Sequence, residues 1–580
     1  MHTFPPARTF MPKLSRRHFV QGLAGGAALL SCPRRLVWGA AAGDGSVLPG
    51  PEFDLTIGET PVNYTGRHRT ATAVNGRVPA PLLRMRQGDT VTIRVTNRLR
   101  VRSSIHWHGF IVPADMDGVP GLSFAGIDAG STFVYRFKVK QSGTYWYHSH
   151  SRFQEQTGLY GPVIIDPAGG ERHLSDREHV LLLSDWSDAD PEWIYATLKR
   201  QSDYFNFGKR TVGNFFADAR ARGLGEAISD RGMWGRMRMD PTDLADVGGA
   251  TYTYLMNGVT PAGNWTGLFR RGERIRLRFI NGSSMSFFDV RIPGLKLTVV
   301  AADGQDVEPV SVDEFRIGPA EVLDFIVTPS AEQPYTIFAQ SMDRSGYARG
   351  TLAPQPGMIA EVPPLEPRAL IGMQDMGMGH GEDMAHDMSE MPGMKPAEVT
   401  LPAAHFGPMV DAVATQTAAR LDDPGPGLRN NGRRALSYGD LHTLGGPIDP
   451  RPPGRDIELH LTGHMARFIW SFNGQKFSEA EPLRFAFGER LRIVLVNDSM
   501  MTHPIHLHGM WSEVVAEDGT FLVRKHTVSV QPAQRLSYLV TADALGRWAY
   551  HCHLLYHMEA GMFREVVVAH PPGAAGGEDR

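Results

Sequence analysis

With 580 residues, 42% of them hydrophobic and 21% charged, the chain can bury a sizeable core and divide into three or four domains of about 150 residues each. A net charge of −3 gives no sign of a nucleic-acid partner, and 63 glycines with 41 prolines favour turns between many short strands, which indicates a mainly β protein. Only two cysteines are present, Cys32 and Cys552, so no intramolecular disulfide is possible once the N-terminus is removed.

Residues 1–42 read as an export signal of the twin-arginine (Tat) type. Ser15-Arg16-Arg17-His18-Phe19-Val20 precedes a weakly apolar run from Gln21 to Leu30 and a cleavage region at Ala40-Ala41-Ala42. The expected location is the periplasm. Leu29-Leu30-Ser31-Cys32 offers a second reading, lipoprotein processing, which the leucine before Ser31 fits poorly. No later stretch of about twenty apolar residues predicts a spanning helix.

Beyond residue 50 one pattern occurs three times: an Asn-Gly turn, a Gly-acid pair, an alternating strand and a closing Asn. The copies are Asn75-Gly76 with Gly88 to Asn97, Asn257-Gly258 with Gly272 to Asn281, and Asn473-Gly474 with Gly488 to Asn497. The alternation predicts half-buried strands, and the repetition predicts three copies of one β-sandwich. The expected domains are 50–168, 175–355 and 431–571, with a linker at 356–430.

The first and third copies carry paired histidines that the second lacks. His106-Trp107-His108-Gly109 corresponds to His506-Leu507-His508-Gly509, and His148-Ser149-His150 to His551-Cys552-His553. One H-x-H is weak evidence for metal, but four arranged by internal symmetry point to metal sites. The second domain reads as a spacer.

The linker contains Met373, Met376, Met378, Met384, Met388, Met391 and Met394 beside His380 and His386. Thioethers are soft and favour Cu(I), and the segment has too few bulky apolar residues for a core; an incidental disordered linker is the alternative. In the stretch from Tyr550 to Met562, Cys552, His557 and Met562 are the ligand types of a trigonal blue-copper site, which needs one further His. On an extended segment Cys552 faces away from His551 and His553, so two metal sites can share one piece of backbone. A buried free Cys among strand histidines is the competing reading.

Taken in order, the HWHG, HSH, HPIHLHG and HCHLLYHMEAGM stretches resemble the four copper-binding motifs of the multicopper oxidases. Residues 148–161, 255–269 and the Met-rich insert resemble the copper-resistance members of that family. The resemblance implies an all-β fold of three cupredoxin-like Greek-key β-sandwich domains and four coppers: one type 1, one type 2 and two type 3. It implies that His503, Cys552, His557 and Met562 hold type 1 copper, and that His106 and His506 hold type 2. For the type 3 pair it implies His108, His148 and His553 on one ion and His150, His508 and His551 on the other. Cys552 would then pass electrons to the cluster through the backbone. Asp117 resembles the carboxylate that supports proton delivery, a surface-turn Asp being the alternative. Where some relatives carry a Glu after His557 this chain has Met558, so a second proton-relay acid is in doubt, with Glu559 as a replacement.

Met500-Met501 precede His503, and Met501 resembles a methionine that cuprous oxidases place at their substrate copper; core packing explains it equally well. Possible substrate-copper residues are Met376, Met378, His380, Met384, His386, Met388, Met500 and Met501. The implied activity is oxidation of Cu(I) with reduction of O2 to water, in copper resistance. The alternatives are a copper-sequestering binding protein and a laccase acting on phenols. Periplasmic copper chaperones are expected partners, and the chain is expected to be a monomer.

Overall fold

The computed structural model describes residues 47–377 and 409–571, together with Gly407 and the backbone of the short strand Ala397–Glu398. The signal reading at 1–42 and most of the methionine-rich stretch lie outside these residues. Among the described residues no helix is long and apolar enough to cross a membrane.

Each sequence copy folds into a pair of sheets. In the first, Val47–Pro49, Leu82–Arg86, Tyr160–Asp166, Gly143–His148 and His106–His108 form one sheet, and Arg69–Val74, Glu52–Val62, Thr90–Asn97 and Thr132–Lys138 form the other. The second and third copies each pair a six-stranded with a five-stranded sheet. In Thr90–Asn97 the alternation turns Val91, Ile93 and Val95 inward at 0% exposure, as a period of two requires.

The repeated Asn-Gly turns adopt left-handed backbone at both positions, with φ of 51° and 72° at Asn75-Gly76 and near-identical values at Asn257-Gly258 and Asn473-Gly474. Such turns match the twist of the strands they join. The repeated closing Asn clamps a loop. Asn97 Nδ2 donates to the carbonyls of Val101 and Ile127, Asn281 Nδ2 to Ser286 and Ile317, and Asn497 Nδ2 to Met501 and Val530. In the first and third copies that loop leads straight into the first histidine pair.

The second sandwich departs from the half-buried expectation, because Ile275–Asn281 is buried on both faces. Arg276 and Arg278 reach Asp324 Oδ2 at 2.8 and 3.1 Å, and Arg278 donates to Thr144 Oγ1 of the first sandwich at 2.9 Å. The polar face of this strand therefore lies in an inter-sandwich seam instead of in water, its charges paired as burial demands. The second sandwich also carries three helices, Pro191–Arg200, Val212–Arg222 and Leu224–Met237, which the β reading did not foresee.

Candidate metal centre

The two histidine-bearing sandwiches present their pairs on equivalent strands. His106–His108 runs antiparallel to Gly143–His148 with His106 opposite His148, and His503–Leu507 runs antiparallel to Gly546–Cys552 with His506 opposite His551 and Ile505 opposite Cys552. The period of two does the rest: His551 and His553 turn toward the first sandwich, and Cys552 turns the other way. Five groups among the described residues bring three potential ligand atoms within 4.8 Å of one another: His106, His506 and His508; His108, His148 and His553; His150, His508 and His551; His503, Cys552 and His557; and His108, His506 and His526.

Polar contacts behind the ring fix which nitrogen His106, His148, His508 and His551 turn inward. His508 donates Nδ1–H to Asp117 Oδ2 at 2.9 Å and His551 donates Nδ1–H to the Cys552 carbonyl at 3.0 Å. Their Nε2 atoms thus face each other at 3.1 Å, with His150 Nε2 3.4 Å from that of His551. His148 Nδ1 lies 2.7 Å from Glu155 Oε2, and its Nε2 faces His553 Nε2 at 3.4 Å. His106 Nδ1–H is taken by the Asp117 carbonyl at 2.7 Å. Carboxylate or carbonyl support behind the ring is the usual second layer of a metal site.

Burial, with neighbouring imidazoles as the next cause, holds His108, His148, His150, His506, His508 and His553 well below the ordinary imidazole value, and His551 is pushed down to about 4. These rings are neutral and aim lone pairs at one another. His106 Nε2, both nitrogens of His108, His506 Nε2 and His526 Nε2 are buried without a hydrogen-bond partner. Unpartnered imidazole nitrogens converging in a buried space fit a cation, and imidazole suits copper.

On the other side of the strand, His503 Nδ1 lies 3.5 Å from Cys552 Sγ and 3.3 Å from His557 Nδ1. Met562 is fully buried, and its backbone is tied to both partners: Cys552 N–H donates to the Met562 carbonyl, and Met562 N–H to the His557 carbonyl. Burial pushes the Cys552 thiol up, so a thiolate here needs a cation beside it. The outer nitrogens are covered. His503 Nε2 meets Ser499 Oγ at 2.7 Å, His557 Nε2 donates to Asp246 Oδ2 at 2.6 Å, and Trp470 stacks on His557 with ring centres 3.9 Å apart.

Asp117, at 1% exposure, is no surface-turn residue: it holds one histidine from the first sandwich and one from the third. Gly118 makes this possible, since at φ +87° a Cβ there would lie 1.9 Å from the Ile105 carbonyl. Glu559 pairs with Arg152 and, with His150, Lys476, Arg547 and Phe563, lines a cavity of 660 Å³; burial raises its pKa. Met376, Met500 and Met501 pack in the apolar core at 2% exposure or less. Met378, His380, Met384, His386 and Met388 lie outside the described residues.

Three supporting residues escaped the sequence reading: Glu155, Asp246 and His526. Glu155 sat inside the quoted 148–161 stretch, seven positions after His148, and that acid was the available signal. Asp246, from the second sandwich, meets His557 across 311 positions, a contact no local pattern announces.

Family models described as multicopper oxidase match residues 56–169, 177–356 and 450–572. Copper resistance protein A of Escherichia coli is 57% identical, with 96% of this chain and 99% of that one covered. Multicopper oxidase MmcO of Mycobacterium tuberculosis is 30% identical over 95% of this chain and 96% of its own. The laccase of Botrytis aclada shares the fold, with a TM-score of 0.60 at 22% identity over 90% of this chain and 88% of that one.

Proposed function

From the premise that the chain belongs to the multicopper oxidase family, we propose that it is a periplasmic copper-resistance enzyme, exported by the Tat pathway, that oxidises Cu(I) to Cu(II) and reduces O2 to water. The observation that carries this reading is the strand Gly546–Cys552 and the residue after it. Cys552 joins His503 and His557 on one side, while His551 and His553 join histidines of the first sandwich on the other. His503, Cys552, His557 and Met562 would hold type 1 copper, and His106 with His506 type 2. His108, His148 and His553 would hold one type 3 ion, and His150, His508 and His551 the other. Copper at these positions supplies one-electron uptake at the thiolate site and storage of the four electrons that O2 requires.

The chain's own residues do the remaining work. With copper bound, the covalent path from Cys552 through the backbone to His551 and His553 would carry electrons between the two sites. Asp117 orients His106 and His508 and stands buried beside the cluster as a carboxylate for protons. Glu559, in the cavity that reaches His150, is suited to relay protons from solvent.

The covering of both outer imidazole edges favours a small cation over a phenol as reductant. A phenol needs an open apolar slot against the ring, whereas Ser499, Asp246 and Trp470 close that space with two polar groups and one aromatic face. Asp246 and Asp243 are both buried acids whose pKa burial raises, and a cation approaching them would be stabilised by their ionisation. The linker methionines would gather Cu(I) for this surface.

Deletion of residues 378–394 tests the substrate, because it spares Met373 and Met376, which pack on or within the core. The cuprous reading expects slower Cu(I) oxidation at limiting copper, with phenol oxidation unchanged or higher. Loss of bound copper with unchanged Cu(I) turnover would instead support the sequestering protein.

A further inference from the structure

The helical part of the second sandwich carries the densest exposed apolar surface among the described residues. Of the nineteen exposed large apolar side chains there, seven lie between Trp193 and Ile228. Val212 and Phe216 on the helix Val212–Arg222, and Leu224 and Ile228 on Leu224–Met237, are between 56% and 71% exposed. Each pair is four residues apart and so shares one face of its helix. The 11-residue helix Val212–Arg222 has no buried residue at all. A helix of that length is marginal alone and normally gains its stability by covering an apolar face. This one is tied to its neighbour by Arg231, whose guanidinium lies 5.0 Å from the Phe215 ring centre and 2.8 Å from Asp218, while Val212 and Phe216 stay in solvent.

The charge around this patch has one sign. From Lys199 to Arg238 there are nine Lys or Arg against four Asp or Glu, in a chain whose net charge is −3. All four acids are paired: Asp203 with Lys209, Asp218 with Arg231, Glu226 with Arg222 and Asp230 with Arg210. Arg200, Arg220 and Arg236 are exposed and have no carboxylate partner among the described residues. A contiguous exposed apolar patch marks a binding surface, and the excess of arginine says that the occupant is anionic. A second copy of the chain is disfavoured, because two-fold pairing of this patch would set arginines against arginines. Apolar tips among unpaired arginines are the composition of a helix lying in the interface of an anionic bilayer, where the tips enter the acyl boundary and the guanidinium groups meet headgroup phosphates.

We propose that the two helices form a docking element that seats the chain on an anionic lipid surface, with Val212, Phe216, Leu224 and Ile228 inserted and Arg200, Arg220 and Arg236 on the headgroups. The element lies on the membrane and does not span it. The segments flanking it reach the surroundings of the thiolate site: Lys199 Nζ donates to the Phe468 carbonyl at 2.8 Å, and Asp246, nine positions after Met237, holds His557. The proposal is independent of which reductant the oxidase uses.

The test is flotation of the full-length, copper-loaded protein with vesicles of phosphatidylcholine alone and of phosphatidylcholine mixed equally with phosphatidylglycerol. The expected result is binding to the anionic vesicles only, weakening as salt rises. Phe216→Ser and Ile228→Ser should each weaken binding by at least about tenfold, and Arg220→Gln and Arg236→Gln by about fivefold each, with circular dichroism and oxidase turnover in solution unchanged. Absence of binding to the anionic vesicles would overturn the proposal. So would binding that all four substitutions leave intact, since another part of the chain, such as the basic N-terminus, would then be the anchor. A dimer broken by Phe216→Ser would assign the patch to a second copy, and vesicle binding that appears only after deletion of residues 378–394 would assign it to the chain's own linker; either result also overturns the proposal.

Discussion

Replacing Asp117 with Ala should weaken one group of the cluster far more than its neighbour, and the structure says which. The carboxylate accepts the His508 Nδ1–H at 2.9 Å, while His106 is held by the Asp117 backbone carbonyl at 2.7 Å, with the carboxylate farther off at 3.4 Å. The substitution removes the first support and keeps the second. A hydrogen bond to a charged group contributes about 1.5–3 kcal/mol, and a buried donor left without a partner costs a similar amount. At about 1.4 kcal/mol per tenfold, the affinity of the group formed by His150, His508 and His551 should fall roughly ten- to a hundredfold, the range expected for removing a supporting carboxylate. The type 2 position, which uses His106, should change by less than about threefold, because its carbonyl contact survives. The assay is copper content and spectroscopy during stepwise chelation: the absorption of the coupled pair should vanish first, with the type 2 signal retained. Equal loss from both positions, or no loss at all, would refute the assignment of the Asp117 carboxylate to His508.

Cys552→Ser should abolish the intense blue absorption and oxidase turnover while the three sandwiches still fold, checked by absorption and circular dichroism; a variant that stays blue contradicts the type 1 site. Burial holds Asp246 up at about 8, so Asp246→Asn, which keeps an acceptor for His557 Nε2–H, should leave the type 1 reduction potential close to wild type below that pH and raise it by about 60 mV, one tenfold step for a single electron, above it, where the wild-type acid ionises; redox titration of both proteins across this range checks this, and equal potentials at high pH count against Asp246 as the tuning group. Burial holds Asp411 up at about 6, so the folded chain keeps a proton that the unfolded chain releases near 4, and stability falls as pH rises between these values. Asp411→Asn should remove that part of the slope and gain up to about 3 kcal/mol at pH 7, two pK units' worth, in denaturant unfolding compared at pH 4 and pH 7; parallel wild-type and variant profiles would show that Asp411 is not held up.

The features legible in the sequence are those that local chemistry enforces. Period-two alternation, the left-handed Asn-Gly turns and the closing Asn of each repeat act within a few dozen residues, and they placed Asn97, Asn281 and Asn497 in equivalent positions. The opposite facing of Cys552 and its flanking histidines follows from strand geometry alone. Arg276 and Arg278 misled the same logic, because charged residues on a strand face read as solvated until Asp324 and Thr144 arrive from elsewhere in the fold. His526 was one histidine without a repeat partner, and Asp246 one acid in a loop. Their meaning comes from contacts hundreds of positions away. The helices Val212–Arg222 and Leu224–Met237 expose apolar side chains such as Val212, Phe216 and Leu224, so they lack the clean amphipathic stripe by which a helix announces itself. Met500 and Met501 show the reverse ambiguity, since a thioether that fills a core and one that awaits copper look alike in sequence.

The most direct test of the account is oxygen uptake by the copper-loaded protein with Cu(I) as reductant, measured beside the same protein with a phenol. The account predicts rapid uptake with Cu(I), one O2 consumed per four Cu(I) oxidised, no hydrogen peroxide released, and slower uptake with the phenol. Peroxide at one O2 per two Cu(I), or Cu(I) that binds without oxygen being consumed, would contradict it.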